Sequence, residues 1–264
     1  MNNYNSITEV PGLMASSEQI ARIYHRYRFA REYANSRDIL EVACGSGMGL
    51  GYLSAVAKSV VGGDIDKKNV DLALTLYKDS SIQVKEMDAH NLPYEDKSFD
   101  VVLLFEALYY LQKPEIFVKE AARIMRDNGI LMVCTVNKDW IDFHPSPYTH
   151  FYFSAPELNN LLKPSFPKIA MYGAFPPQMK GIKPFLISSI KRTAVCFKLI
   201  PNSLAARAYM KRIFMGPLKP IPPRVTDSMA PYAPPVPISL ATPTSEFTII
   251  YALAMKGEHA EKMF

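Results

Sequence analysis

Hydrophobic positions along the first 140 residues follow two spacings. In residues 17–34 the apolar side chains recur every three or four positions, which predicts a helix with Ser16 or Ser17 as its N-cap. Shorter continuous apolar runs that end in glycine or acidic residues are typical of buried strands. Five such runs lie at residues 38–45, 58–66, 82–89, 98–108 and 129–137. Helical stretches separate most of them and lie at residues 50–58, 67–78 and 114–129.

Strands that alternate with helices usually form parallel units of one sheet. Two further apolar runs, at 167–175 and 247–256, bring the number of strands to seven. The pattern therefore predicts an α/β fold with a doubly wound, mostly parallel seven-stranded sheet. Two helix ends are also marked. Gly129 is the expected end of the helix before the fifth strand, and Ser154 with Glu157 three residues later predicts a capped helix start.

The composition is that of an ordinary globular protein, with 48% hydrophobic and 21% charged residues among 264. No run of eighteen uncharged apolar residues occurs, so we expect no transmembrane helix. The first residues lack the basic start and apolar centre of a secretory signal. Three scattered cysteines predict neither a disulfide framework nor a zinc site, and we expect no bound metal. Together these features favour a cytoplasmic setting.

The last two predicted strands are separated by residues 176–245, a basic, proline-rich segment. Between Leu158 and Thr226 the chain has twelve basic residues and no acidic one. We interpret this segment as an insertion that caps the substrate side of a single domain, residues 1–264. Three hypotheses fit its basic and apolar stretch at 181–216: helices packed on the core, a helix resting on an anionic membrane surface, or a pocket for an anionic substrate. Nucleic acid is disfavoured because interleaved aromatic and basic patches are missing.

Glycine and acidic residues mark the ends of the first three predicted strands. The first strand contains Glu41 and runs into glycines at 45, 47 and 49, while the second and third end at Asp64 and Asp88. The carboxyl ends of parallel strands form the usual binding edge of such a sheet. A dinucleotide site is the rival interpretation of the glycine-rich turn. Glu41 argues against it, because a carboxylate at this point repels a pyrophosphate and attracts an ammonium group.

The motifs ILEVACGSG, VVGGDID and MDAHNLPYEDKSFDVV resemble, in order, the first three motifs of class I S-adenosylmethionine-dependent methyltransferases of the type 11 kind. The run EAARIMRDNGILMV resembles the helix and fifth strand that close the core of that family. The resemblance covers residues 17–140, which would form the cofactor-binding core. It implies a Rossmann-like methyltransferase fold, S-adenosyl-L-methionine as the cofactor, and an enzyme.

The resemblance also implies a role for individual residues. The cofactor contacts it assigns are Glu41, Ala43, Gly45 and Gly47 for the methionine part, Asp64 for the ribose, Ile65, Asp88 and Ala89 for the adenine, and Phe105 as a packing residue. The first helix often covers the cofactor in this family, so Tyr27 and Arg26 are candidates for its carboxylate. Ala43 stands where the family usually has a glycine.

The acceptor of the methyl group is expected to bind in the aromatic loop after the fifth strand. His144 and His150 lie in this loop, and either is a candidate general base for a hydroxyl acceptor. Tyr109 and Tyr110 are candidates for lining the acceptor pocket. The chain lacks the Asn/Asp-Pro-Pro-aromatic tetrad typical of enzymes that methylate amino groups of nucleic acids and proteins. We therefore expect O-methylation of a small molecule or glycan, with a non-catalytic S-adenosylmethionine-binding protein as the alternative.

Overall fold

The structure is a computed structural model that describes residues 9–146, 149–176, 217–242 and 244–257. The helices in this part of the chain are α1 (Ser17–Arg31), α2 (Leu50–Ser54), α3 (Lys67–Leu76), α4 (Pro114–Ile124) and α5 (Ala155–Leu162). The strands are β1 (Met14–Ala15), β2 (Asp38–Val42), β3 (Ser59–Asp64), β4 (Gln83–Glu86), β5 (Phe99–Phe105), β6 (Met125–Val136), β7 (Lys168–Ala174), β8 (Lys219–Pro220), β9 (Val236–Pro237) and β10 (Ile249–Met255). None of the helices in these ranges is both long and apolar enough to cross a membrane.

Most strands form one sheet with the order β4-β3-β2-β5-β6-β10-β7-β9. The five strands β2 to β6 are parallel, and β10 is antiparallel to both β6 and β7. This confirms the predicted fold class, with one strand more than the seven expected. The additional strand is the two-residue β9, which pairs with the edge of β7. A separate two-stranded ribbon joins β1 to β8.

Each face of the sheet is covered by its own set of helices. Ile39 and Leu103 belong to the core on the side of α1, α2 and α3, whereas Leu40 and Leu104 belong to the core on the side of α4 and α5. Adjacent residues of one strand point to opposite faces, so a strand that is buried on both sides is apolar at nearly every position. The continuous runs in the sequence therefore reflect a sheet packed on both faces.

Two helix starts have the capping box expected from their sequences. The Ser16 hydroxyl accepts from the backbone N–H of Gln19, whose side chain in turn accepts from the Ser16 N–H. Ser154 and Glu157 form the same reciprocal pair at the start of α5. Each pair provides partners for backbone donors that a helix start otherwise leaves unpaired. Ser16 rather than Ser17 is thus the N-cap of α1.

The predicted end of α4 at Gly129 is wrong. The helix ends at Ile124, and β6 begins with Met125, which is fully buried and pairs with Phe99. Arg126 then forms ion pairs with Asp38 and with the carboxylate of Asp100. These pairings offset the helical preference of residues 125–128, because tertiary contacts override a weak local propensity. The helix α2 is also shorter than predicted.

Part of the predicted insertion at residues 176–245 lies against the core. Within residues 217–242, Asp227 accepts a hydrogen bond from the Tyr52 hydroxyl at 2.7 Å, and the Ala233 carbonyl lies 2.9 Å from His25 Nε2. The stretch thereby covers the outer side of α1 and α2. The basic stretch at 181–216 lies outside the described residues, so its three hypotheses stay predictions, as do the domain limits.

Candidate active site

A cavity of about 470 Å³ opens at the carboxyl ends of the parallel strands. Of the ten residues other than Arg26 that were expected to contact the cofactor, nine line it, namely Tyr27, Glu41, Ala43, Gly45, Asp64, Ile65, Asp88, Ala89 and Phe105. These residues come from α1 and from the ends of four strands. The tenth, Gly47, lies in the same turn but is not part of the lining; its carbonyl accepts from the Tyr77 hydroxyl at 2.8 Å. The parallel topology therefore brings together residues that are as far as 78 positions apart in the chain.

The glycine-rich turn after β2 needs left-handed backbone at three positions. Ala43, Gly45 and Gly47 have φ values of 56°, 56° and 75°. Left-handed backbone costs a residue with a Cβ roughly 1–2 kcal/mol relative to glycine. This explains why the family usually has glycine at the position of Ala43, and it means that this chain holds a small strain at the base of the site. The same turn directs the Gly45 N–H toward Asp64.

Glu41 is buried at the centre of the cavity wall. Its Oε1 accepts from the Tyr27 hydroxyl at 2.6 Å, whereas Oε2 has no hydrogen-bond partner among the described residues. Burial raises the pKa of Glu41 to about 7, although the Tyr27 hydrogen bond and the Arg26 charge act in the opposite direction. A buried carboxylate oxygen without a partner is costly, so the site fits a cationic ligand group such as the ammonium of the methionine moiety.

Tyr27 is held over the turn by close packing. A Cβ at Gly49 would lie 1.9 Å from the Tyr27 ring, so only glycine allows this approach. The opposite edge of the ring contacts Phe105 in a T-shaped pair with centroids 5.5 Å apart. Arg26, its neighbour in the helix, is buried and ion-paired with Glu9, and its Nε has no partner in the part of the chain that the structure describes. Both candidates from the first helix therefore line the cavity.

Asp64 anchors the turn from the end of β3. Its Oδ2 accepts from the Gly45 N–H at 2.8 Å, and its Oδ1 accepts from the Asp66 N–H and the Asn69 amide at 2.9 and 3.2 Å. Burial raises the pKa of Asp64, and these three hydrogen bonds act against that rise. A carboxylate has about four acceptor positions, so roughly one remains for a ribose hydroxyl.

The end of β4 provides the third acidic residue. Asp88 Oδ1 accepts from the backbone N–H of His90 at 2.9 Å and lies 2.7 Å from its Nδ1. Partial burial acts to raise the pKa of Asp88, but the contacts with His90 hold it below the usual value. The carboxyl is thus kept ionised beside Ala89. Ile65, more than half exposed, provides an apolar surface for a flat ring at the mouth of the cavity.

The cavity continues beyond these residues to a second group that sequence reasoning missed in part. Glu106, Tyr109, Tyr110, Cys134 and Tyr251 line this side. The two tyrosines were expected there. Glu106 was not singled out, although it is an acidic residue that interrupts the apolar run predicted at residues 98–108. An acidic residue at the carboxyl end of a predicted parallel strand was the signal that could have identified it.

The two histidines predicted as general bases lie outside the lining. His144 and His150 are exposed in the described part of the loop. The His150 backbone N–H donates to the Tyr109 carbonyl at 2.9 Å, so the loop contacts a residue of the cavity wall through its main chain. The catalytic role of either histidine stays a prediction.

Comparison with known proteins agrees with this geometry. Residues 40–133 match a family described as a methyltransferase domain, and the chain is 35% identical over 147 residues to a probable S-adenosylmethionine-dependent methyltransferase of Mycobacterium tuberculosis. Residues 40–133 thus belong to a methyltransferase domain of the S-adenosylmethionine-dependent kind. The family match and the name of the mycobacterial relative indicate S-adenosylmethionine as the cofactor of this domain and an enzymatic role for it.

The similarity to individual relatives covers only part of this chain. The mycobacterial match covers 53% of this chain and 52% of the relative, and a ubiquinone biosynthesis O-methyltransferase of Pelagibacter ubique is 29% identical over 38% of this chain and 42% of its own length. The chain thus spans about half the length of the curated relatives it matches. A Thermotoga maritima structure, described as a possible histamine N-methyltransferase, shares the fold of this methyltransferase domain with a TM-score of 0.58, at 16% identity and 91% coverage of both chains.

Proposed function

We propose that this protein transfers a methyl group from S-adenosylmethionine to a hydroxyl of a small molecule or glycan. The observation that carries the proposal is that the cavity is lined by the polar residues Glu106, Tyr109 and Tyr110 in addition to the expected cofactor contacts. A protein that only bound the cofactor would have no need of these further polar residues. The name of the Pelagibacter relative, an O-methyltransferase, supports the choice of a hydroxyl.

The chain's own residues fit the parts of the cofactor. Glu41 would hold the ammonium through its unpartnered Oε2, and Arg26 would meet the carboxylate in place of Glu9. Asp64 would accept from the ribose, while Ile65 and Asp88 would contact the adenine. The bound cofactor supplies an electrophilic methyl group on sulfur. The protein's contribution is then mainly orientation of the two reactants.

Aromatic side chains around Tyr109 favour an acceptor with a flat ring or a sugar face. The rings of Tyr109 and Tyr152 lie 5.3 Å apart, and Phe143 packs on Tyr152 with centroids 4.7 Å apart. Such rings bind apolar faces while their hydroxyl groups meet polar edges. An anionic group on the acceptor, such as a diphosphate, would be bound by the basic stretch at 181–216, and a peripheral membrane contact is the competing role of that stretch.

The proposal is tested by an acceptor screen with methyl-labelled S-adenosylmethionine. The panel holds phenols, catechols, nucleotide sugars and lipid-linked glycans, together with matched amines and thiols. We expect label in hydroxyl compounds and S-adenosylhomocysteine as the second product. Transfer confined to amines or thiols would contradict the hydroxyl. Calorimetric cofactor binding without transfer to any compound would favour the regulatory alternative.

A further inference from the structure

We propose that Glu106 is the catalytic residue that accepts the proton of the acceptor hydroxyl, and that Tyr109 positions it. The inference rests on the proposed function, because a base is needed only when the acceptor must lose a proton. Glu106 directly follows β5 and lines the same cavity as the residues assigned to the cofactor. It was not assigned a role by the sequence motifs.

The backbone at Glu106 is held in an unusual conformation. Its φ of 51° lies in the left-handed region, which is uncommon for residues other than glycine. The Glu106 N–H donates to the Cys134 carbonyl at 2.8 Å, which fixes the residue against β6. A strained backbone conformation of this kind persists only where contacts with neighbouring residues hold it in place, and it is often found at functional sites. Here it accompanies a carboxyl group that lines the acceptor side.

Both carboxylate oxygens of Glu106 have a protein partner. The Tyr109 hydroxyl donates to Oε2 at 2.9 Å, and the Cys134 thiol, a weak donor, lies 3.7 Å from Oε1. A carboxylate oxygen can accept two hydrogen bonds, so each keeps a lone pair for a further donor. An acceptor hydroxyl would be such a donor. Tyr109 thereby fixes the orientation of the carboxyl without occupying it fully.

The charges around Glu106 come from several elements. Arg22 and Arg26 face it from α1, Glu9 from the segment before β1, Tyr109 from the turn after β5, and Cys134 from β6. Burial raises the pKa of Glu106, whereas Arg26 and the Tyr109 hydrogen bond act to lower it. A general base works best when its pKa is near the working pH, so a buried carboxyl is a better base than an exposed one.

The proposed step is balanced. The acceptor oxygen uses its electron pair to form a bond to the methyl carbon, and the bond between that carbon and the sulfonium sulfur breaks, with its electron pair left on sulfur. The hydroxyl proton passes to the Glu106 carboxylate and then to solvent. The products are the methyl ether, S-adenosylhomocysteine and one proton.

The test compares phenol with 4-nitrophenol at about pH 8, where phenol keeps its proton and 4-nitrophenol has largely lost it. Glu106→Gln should lower kcat with phenol by about 10²–10⁴-fold, the usual contribution of a general base, and leave 4-nitrophenol nearly unchanged. Calorimetric S-adenosylmethionine affinity should be unchanged. Glu115→Gln makes the same chemical change at an exposed site on α4 and serves as the matched control.

A second measurement does not use activity. In carbon-13-labelled protein with S-adenosylhomocysteine bound, the carboxyl resonance that disappears in Glu106→Gln should titrate above the usual glutamate range. In Tyr109→Phe it should titrate higher still, because a donor to the charged form is lost. The acidic limb of the pH–rate profile should move to higher pH by the same amount. If Glu106 were only structural, the carboxyl resonance would still shift but the acidic limb of the pH–rate profile would not.

Three outcomes would overturn the proposal. Equal losses with phenol and 4-nitrophenol would show that Glu106 does not take the proton. Loss of turnover in His144→Gln or His150→Gln, with Glu106→Gln active, would transfer the role to the histidine. Wild-type transfer to amines or thiols alone would contradict the proposed function itself, and this outcome is recognised before any variant is made.

Discussion

The Tyr27 hydroxyl donates a hydrogen bond of 2.6 Å to Glu41 Oε1, and this bond links the first helix to the end of β2. Both side chains are almost fully buried, so neither group has water as a substitute partner. The contact leaves the other oxygen of Glu41 directed to no partner in the described part of the chain. The hydrogen bond from Tyr27 therefore fixes Oε1 of Glu41 and leaves Oε2 able to accept from a ligand.

Removing this hydrogen bond should weaken cofactor binding. Tyr27→Phe keeps the ring against Gly49 and Phe105 but removes the donor to a buried carboxylate, a contact worth about 1.5–3 kcal/mol when one partner is charged. We expect S-adenosylmethionine affinity to fall by roughly 10–100-fold in calorimetry. Tyr24→Phe, a buried tyrosine of the same helix outside the cavity lining, is the control and should bind normally.

Cofactor binding should depend on pH through Glu41. Its pKa of about 7 means that the carboxyl is mostly protonated under mildly acidic conditions, and an ammonium ligand must displace that proton. Affinity should then fall by roughly tenfold per pH unit below about pH 6, with about one proton released on binding. Calorimetry in two buffers of different ionisation enthalpy measures both. The Glu41→Gln variant should bind S-adenosylmethionine weakly and release no proton on binding. An unchanged proton release would show that the proton comes from another group.

The aspartate at the end of β3 should matter for both stability and affinity. Asp64→Asn places an amide beside the Gly45 N–H, which needs an acceptor, and it weakens the bond to a ribose hydroxyl. We expect a lower melting temperature for the protein without ligand. We also expect S-adenosylmethionine affinity to fall by roughly 10–100-fold, because a hydrogen bond with one charged partner is worth about 1.5–3 kcal/mol. Asp71→Asn on the exposed face of α3 is the matched control. Normal affinity in Asp64→Asn would remove this residue from the site.

Acid should destabilise the protein through His25. Burial lowers its pKa to about 4, against a small opposing effect of the Ala233 carbonyl. Since that carbonyl can only accept, the ring is protonated at Nε2 and its Nδ1 accepts from the Tyr251 hydroxyl at 2.7 Å. The neutral ring stabilises the fold above the unfolded pKa of about 6.5, and this contribution is lost as the pH falls toward 4.

Urea unfolding at two pH values measures the size of this effect. Between pH 7 and pH 5 we expect the wild type to lose about 2 kcal/mol relative to His25→Gln, at 1.4 kcal/mol per pH unit. Glu41 contributes the opposite trend in both proteins, because its raised pKa makes the fold less stable as the pH rises from about 4.5 to about 7. Taking the difference between the two proteins cancels that term. Equal slopes would show that folding leaves the pKa of His25 unchanged.

The sequence predicted the fold well because buried strands and capped helices leave strong local signals. Ser16 and Ser154 each have a side chain suited to their cap, and the glycine-rich turn needs residues that tolerate left-handed backbone. The end of α4 was predicted wrongly because the burial of Met125 and the ion pairs of Arg126 stabilise residue 125 as part of β6. These long-range contacts cannot be seen in the local sequence. Glu106 was overlooked for a similar reason: its importance comes from Tyr109 and Cys134, which the fold brings beside it.

The stretch 217–242 lies on the outer face of α1, opposite the helix's contacts with the cavity. Arg31 is ion-paired with Asp227, and His25 contacts the Ala233 carbonyl. No residue of this stretch lines the cavity. Binding of the ligand by Tyr27 and Arg26 would nevertheless reduce the fluctuations of α1, which lies between the cavity and this stretch. Hydrogen exchange at 217–242 should therefore slow when S-adenosylmethionine is added. The helix α1 would thus couple cofactor binding on one of its faces to the local stability of the stretch on its other face.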